Sequence, residues 1–120
     1  MAISVTNTTF LGSKLVQDTD VTSTAADNTT GGSGNLYAVE IDNSSNGSAV
    51  FFKMADTTNA TGGTTAATVV LMCPGSSKKN YVFMSGLAFS SGFSHWCVTA
   101  AAESSVANPL NDVIVRYVTD

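Results

Sequence analysis

Charge is the scarcest property of this sequence. Asp, Glu, Lys and Arg make up 12% of its 120 residues, about half the share usual in a soluble domain. The basic residues are Lys14, Lys53, Lys78, Lys79 and Arg116, scattered along a chain of net charge −4. Tracking a phosphate backbone requires clustered Lys and Arg that displace counterions, so nucleic acid is excluded as a partner. Lys78-Lys79, the one basic pair, reads as a solvated turn. Long apolar runs are also missing: none approaches the roughly 18 residues of a membrane-spanning helix, and no membrane partner is expected. Residues 1–9 lack the charged start and apolar stretch of a signal peptide. Synthesis in a cytosol is the expectation, with both cysteines kept as thiols.

Scarcity of metal-ligating and nucleophilic residues narrows the chemistry further. There is one histidine, His95, and two cysteines, Cys73 and Cys97. His95 and Cys97 share a strand face, but neighbours at that spacing lie roughly 7 Å apart, too far for direct activation of a thiol. A zinc site needs three or four ligands, which Cys73, His95 and Cys97 would supply only if strands 68–73 and 93–99 met in register. Asp18, Asp20 and Asp27 lack the spacing of a calcium loop and read as solvated loop acids. Glu40 and Asp42 share a face as paired glycosidase carboxylates do, without sugar-stacking aromatics nearby. Gly31-Gly32-Ser33-Gly34 precedes a strand and lacks the lysine of a phosphate loop. The five Asn-x-Ser/Thr triplets starting at Asn7, Asn28, Asn43, Asn46 and Asn59 carry no function in a cytosolic product. The expectation is no enzyme, no cofactor and no metal.

What the chain has in quantity is Ser and Thr, roughly a quarter of all residues, alongside an ordinary hydrophobic content of 43%. A surface rich in hydroxyls and poor in charge resembles an interface, where charged side chains are depleted. Such a surface also does little to keep copies apart.

Apolar residues alternate with period two along several short segments, the signature of half-buried strands. Leu36–Asp42 places Tyr37, Val39 and Ile41 on one face. The turn Asn43–Gly47 carries a hairpin signal in Asn46-Gly47, and Ala49–Met54 follows with Val50, Phe52 and Met54 on one face. Thr68–Cys73 reads as a short, continuously apolar strand closed by Pro74-Gly75. Asn80–Met84 sets Tyr81 and Phe83 against Val82 and Met84; Phe93–Thr99 sets Phe93, His95 and Cys97 against Trp96 and Val98. Asp112–Thr119 sets Val113, Val115 and Tyr117 against Ile114, Arg116 and Val118. The spacing and the Gly, Asn and Pro breaks fit an all-β fold, one antiparallel β-sandwich of six to eight strands, jelly-roll or Ig-like. Its expected core is Tyr37, Val39, Ile41, Phe52, Val70, Phe83, Val113 and Val115. Residues 35–120 form the sandwich, and residues 1–34 an N-terminal arm with a Ser/Thr/Gly-rich loop, of which roughly the first 20 residues dock on a neighbour; the competing reading makes Ser4–Thr9 and Lys14–Val16 the first strands of the same sandwich.

Phe51 and Phe52 are adjacent on one strand, so they face opposite sides; Phe93 and Trp96 do the same. Apolar residues on both faces of a short strand require a covering layer on each. A neighbouring subunit is expected to supply one. Ile3, Val5, Phe10, Leu11, Phe51 and Trp96 are the candidate interface residues.

Four segments together carry a family resemblance: Leu36–Asn43; Ala49–Met54 with its Lys53; Thr68–Pro74; and Gly86-Leu87-Ala88-Phe89-Ser90-Ser91-Gly92, followed by Val113–Arg116. The chain resembles small structural proteins of tailed bacteriophages, of the cyanophage and marine-phage type, over roughly residues 35 to 118. The resemblance implies a capsid decoration (cement) protein bound to the major capsid protein of a virion, working as a homo-oligomer, a trimer. A tail fibre or appendage component is the alternative within that class. Outside it stand a carbohydrate-binding module, using Trp96 or Tyr37 as a stacking platform, and a small hydrolase relying on His95.

Overall fold

The computed structural model describes residues 2–7 and 12–120, with the backbone alone at positions 6 and 7. The chain is all-β. Its strands are β1 (Ile3–Asn7), β2 (Lys14–Asp18), β3 (Gly34–Asp42), β4 (Val50–Asp56), β5 (Val69–Cys73), β6 (Lys78–Phe89), β7 (Phe93–Val98) and β8 (Ile114–Thr119). They form a five-stranded sheet in the order β1-β2-β8-β3-β6 and a three-stranded sheet in the order β5-β4-β7. Every pairing is antiparallel, and the two sheets pack as a β-sandwich.

The core lies between the sheets. Val16, Leu36, Val39, Ile41, Val115 and Tyr117 from the large sheet meet Val50, Phe52, Met54, Leu71, Cys73, Phe93 and Cys97 from the small one. Alternation produces this: each strand offers every second side chain to the facing sheet. Val39, Ile41, Phe52, Val113 and Val115 are buried as expected. Three expected core residues differ. Tyr37 is half-buried because a bulge between Leu36 and Ala38 inverts the alternation, so Leu36 takes the inward place. Opposite the bulge Gly86 has φ +76°, and a Cβ there would lie 3.1 Å from the Tyr37 ring. Val70 is 46% exposed, because β5 is an edge strand whose inward residues are Leu71 and Cys73. Phe83 is half-buried near the free edge of β6.

One connection also differs from expectation. Asn43–Ala49 is not a hairpin: β3 and β4 belong to different sheets, and the segment is the corner between them. The Asn43 side-chain amide donates to the carbonyls of Ser48, Cys73 and Pro74 (2.9, 3.3 and 3.0 Å), and Asn46 donates its amide to the Asn111 carbonyl (3.1 Å). Across the corner, a Cβ on Gly75 would lie 2.4 Å from the Gly47 carbonyl, so the two backbones meet in a contact that glycine permits. Gly86–Phe89 continues β6, and the turn that follows is Ser90–Gly92.

Residues 1–34 are not a separate arm over their described length. β2 lies between β1 and β8, and its Val16 and Asp18 are fully buried. The following segment runs along the outer edge of β7. There the amides of Ala26 and His95 each donate to the other's carbonyl (2.8 and 3.0 Å), Thr29 donates to Phe93 and Cys97 donates to Thr22. The sandwich therefore begins well before residue 35. Its missing edge bonds on β7 are supplied by the Thr-rich stretch that sequence texture sets apart.

Candidate interaction surfaces and a buried polar chain

The outward face of the small sheet is covered by the chain itself. Trp96, Val98 and Ala55 pack there with Ala60, and Ala25, Phe51 and Ala67 lie against them. Lys53, the cross-strand partner of Trp96, is also buried, its Nζ donating to the Ala102 carbonyl at 2.7 Å. Loops 57–68 and 99–108 thus form a third layer. Asp27 holds one of them by accepting the Ala60 amide at 2.9 Å. The expected cover over this face is present, and it belongs to the same molecule. Trp96 has no exposed surface and Phe51 is half-buried, so Trp96 offers neither a contact surface nor a sugar platform.

Among the described residues, no loop covers the outward face of the large sheet in this way. The register aligns Leu15, Val118, Ala38 and Val82 across β2, β8, β3 and β6, an apolar row four strands wide. The next outward row is polar: Gln17, Arg116, Glu40 and Asn80. In it Arg116 donates from Nε to Gln17 (3.1 Å) and from Nη1 to Glu40 (2.8 Å). Beyond lies Asp42, which accepts from Ser44 and lies 3.6 Å from Lys78; the Ser44 hydroxyl and amide hold its carboxyl below the usual range. Glu40 and Asp42 are therefore members of a polar stripe, not facing carboxylates of a cleft. On β6 the apolar row ends in Val82, 65% exposed, with Met84 beyond it at 93%.

Ile3 and Val5 are exposed too, for a different reason. They pair with Asp18 and Val16 and so lie on the inward face of the large sheet. β1 stands at its margin, where the small sheet does not reach over them. Phe10 and Leu11 lie outside the described residues.

Between the sheets lies a chain of polar groups. His95 on β7 contacts the Asp18 carboxylate through Nε2 (2.7 Å) and the Tyr117 hydroxyl through Nδ1 (2.8 Å). Tyr117 in turn contacts the Thr29 hydroxyl, which donates to the Phe93 carbonyl at 3.0 Å. Asp18 and His95 are fully buried and Tyr117 nearly so. Burial drives the Tyr117 phenol well above its ordinary value, so it stays protonated. The chain joins β2, β7, β8 and the segment before β3, and the Phe52 ring lies 5.4 Å from the imidazole. Reading Asp18 as a solvated acid missed this. The available signal was its place two residues after Val16, on the inward side of a short alternating strand.

The other candidate groups are kept apart. Cys73 on β5 and Cys97 on β7 are separated by β4, two strand spacings or roughly 10 Å, and both are free. Burial pushes the Cys97 thiol up to about 12 and raises Cys73 as well. Strands 68–73 and 93–99 do not meet, and among the described residues no group of three His, Cys, Asp or Glu is placed to hold a metal ion. Comparison of the chain with protein-family models, with curated proteins and with solved structures gives no match.

Proposed function

We propose that this chain is a structural protein of a phage virion, a decoration protein that binds the major capsid shell as a homotrimer and performs no catalysis. The observation that carries the reading is the uncovered apolar row Leu15–Val118–Ala38–Val82, continued on β6 by Met84. Apolar surface gathered on one face and bordered by a polar stripe is what a protein contact uses. The low charge of the chain and its resemblance to tailed-phage structural proteins support the same reading. Catalysis by His95 is disfavoured because its imidazole is sealed between the sheets, where no substrate reaches it. A glycan platform is disfavoured because Trp96 is buried and the Tyr37 hydroxyl is bonded to Asp120 at 2.8 Å.

The test is association. Light scattering at high micromolar concentration is expected to give a trimer for the wild type and a monomer for Val82→Glu/Met84→Glu, with circular dichroism unchanged. A wild-type monomer removes the homotrimer. Imaging of virions that encode the protein is expected to place its density on the capsid shell. Density confined to the tail assigns it to a fibre or appendage instead.

A further inference from the structure

Three cross-strand neighbours form a row on the outward face of the small sheet: Val70 on β5, Lys53 on β4 and Trp96 on β7. The layer of loops 57–68 and 99–108 leaves Trp96 no exposed surface but stops short of β5, where Val70 is 46% exposed. Lys53 stands between the two. Where the layer ends, a pocket of about 220 Å³ remains, lined by Lys53, Thr65, Ala67, Val70, Ala101 and Glu103. Lys53 is only 1% exposed, so it lies at the floor.

The hydrogen bonds at this floor are incomplete. The Lys53 ammonium group has three hydrogens to give, and the Ala102 carbonyl, at 2.7 Å, takes one. Among the described residues no carboxylate forms an ion pair with it. A buried charge is costly unless a counter-charge and further hydrogen bonds repay its removal from water. A second donor lines the same space. The Thr65 hydroxyl accepts the Thr61 amide at 2.9 Å, which leaves its own hydrogen to donate. The matching partner for both groups is an acceptor that carries negative charge. The walls define the rest of a ligand. Ala67, Val70 and Ala101 suit a short aliphatic group, and the volume is below the roughly 300–1,000 Å³ of pockets for drug-sized molecules. Glu103 is exposed where it lines the pocket. Its charge opposes a dianion such as phosphate, whereas one carboxylate is balanced by Lys53.

We propose that this pocket binds small aliphatic monocarboxylates, with the carboxylate held by Lys53 Nζ and the Thr65 hydroxyl and the alkyl group against Ala67, Val70 and Ala101. The same chemistry is offered by a free short-chain acid and by the C-terminus of a protein chain ending in a small apolar residue. The site lies on the opposite sheet from the apolar row Leu15–Val118–Ala38–Val82, so it stands or falls independently of association through that row.

Titration of the full chain with isobutyrate at constant ionic strength, followed by amide NMR spectra, tests this. Saturable shifts are expected at Thr65, Ala67, Val70 and Ala102. Isobutyramide has the same shape without the charge and should give none, and phosphate should bind more weakly than isobutyrate. Lys53→Met replaces the buried charge with an apolar group, a change that folds commonly tolerate, and should weaken binding about tenfold or more. N-acetylvaline separates the two sources: binding tighter than isobutyrate assigns a chain terminus, and weaker binding a free acid. The proposal is overturned if neither carboxylate gives a saturable response, if isobutyramide or phosphate binds as well as isobutyrate, or if Lys53→Met binds unchanged. Binding that appears only in Glu103→Gln also overturns it, because Glu103 is then the counter-charge of Lys53. Should Lys53→Met not fold, isobutyrate against isobutyramide on the wild type decides.

Discussion

Phe51 and Phe52 are consecutive, chemically identical and placed on opposite faces of β4, so truncating each in turn measures what each face contributes. Phe52 is fully buried between the sheets, its ring 5.4 Å from His95 and 6.3 Å from Tyr117. Removing it leaves a void bounded by both sheets, which backbone hydrogen bonding keeps from collapsing. Truncation of a core Phe to Ala costs about 3–5 kcal/mol, against a typical domain stability of about 5–15 kcal/mol. With a urea slope of about 2 kcal/mol per molar, the Phe52→Ala midpoint should fall by about 2 M. Phe51 is half-buried beneath loops that can settle onto the space it leaves, so Phe51→Ala should cost about 1–2 kcal/mol, or about 0.5–1 M. Chemical unfolding followed by tryptophan fluorescence reads both, because Trp96 is enclosed in the fold. A Phe51→Ala loss equal to or larger than that of Phe52→Ala would refute the assignment of faces and the register of β4 with it.

Gly75→Ala should destabilise by about 1–3 kcal/mol, since its Cβ would meet the Gly47 backbone at 2.4 Å, whereas Gly47→Ala, with nothing within 4 Å, should be near neutral; thermal melts compare them. Removing residues 1–20 should abolish folding, because it strips β2 from β8 and removes Val16 and Asp18 from the core; a folded truncation by circular dichroism would return these residues to the status of an arm. Cys97 should resist thiol reagents at pH 8 until the protein unfolds, as buried thiols do. Its raised value adds an alkaline loss: the stability is intact below the unfolded thiol's value near 9 and is lost as pH rises toward about 12. Urea midpoints of Cys97→Ala against wild type across pH 9 to 11 should converge if this holds.

Most strands were legible in the sequence because period-two alternation survives wherever one face meets a core. Phe93, His95 and Cys97 turned inward against Trp96 and Val98, as did Val113 and Val115 on the segment ending in β8. Alternation does not say which strands are neighbours, so Val70 was assigned to the core although β5 stands at an edge. A single bulge displaced Tyr37, because Leu36 and Ala38 resume opposite parities once a residue is looped out. The Asn-Gly signal at Asn46 marked a change of direction but not whether the next strand pairs or crosses over. The covering layer over Trp96 was hidden for another reason: loops 57–68 and 99–108 are small residues without periodicity, and their seating depends on Lys53 and Asp27 reaching them from elsewhere. Asp18 was misread because acids at short strand ends are usually solvated, and nothing local shows that a histidine 77 residues away will meet it.

The position of β8 also dictates the timing of assembly in the cell. It occupies the middle of the large sheet, between β2 and β3, with Lys14 opposite Thr119. While the ribosome is still adding residues 114–119, β2 and β3 have no partner between them, and the large sheet is two separate pieces. Closure of the large sheet must wait for those residues and is slow, as expected where the decisive contacts span most of the sequence. During that interval the nascent chain exposes the edges of both pieces, which favours aggregation until β8 is in place.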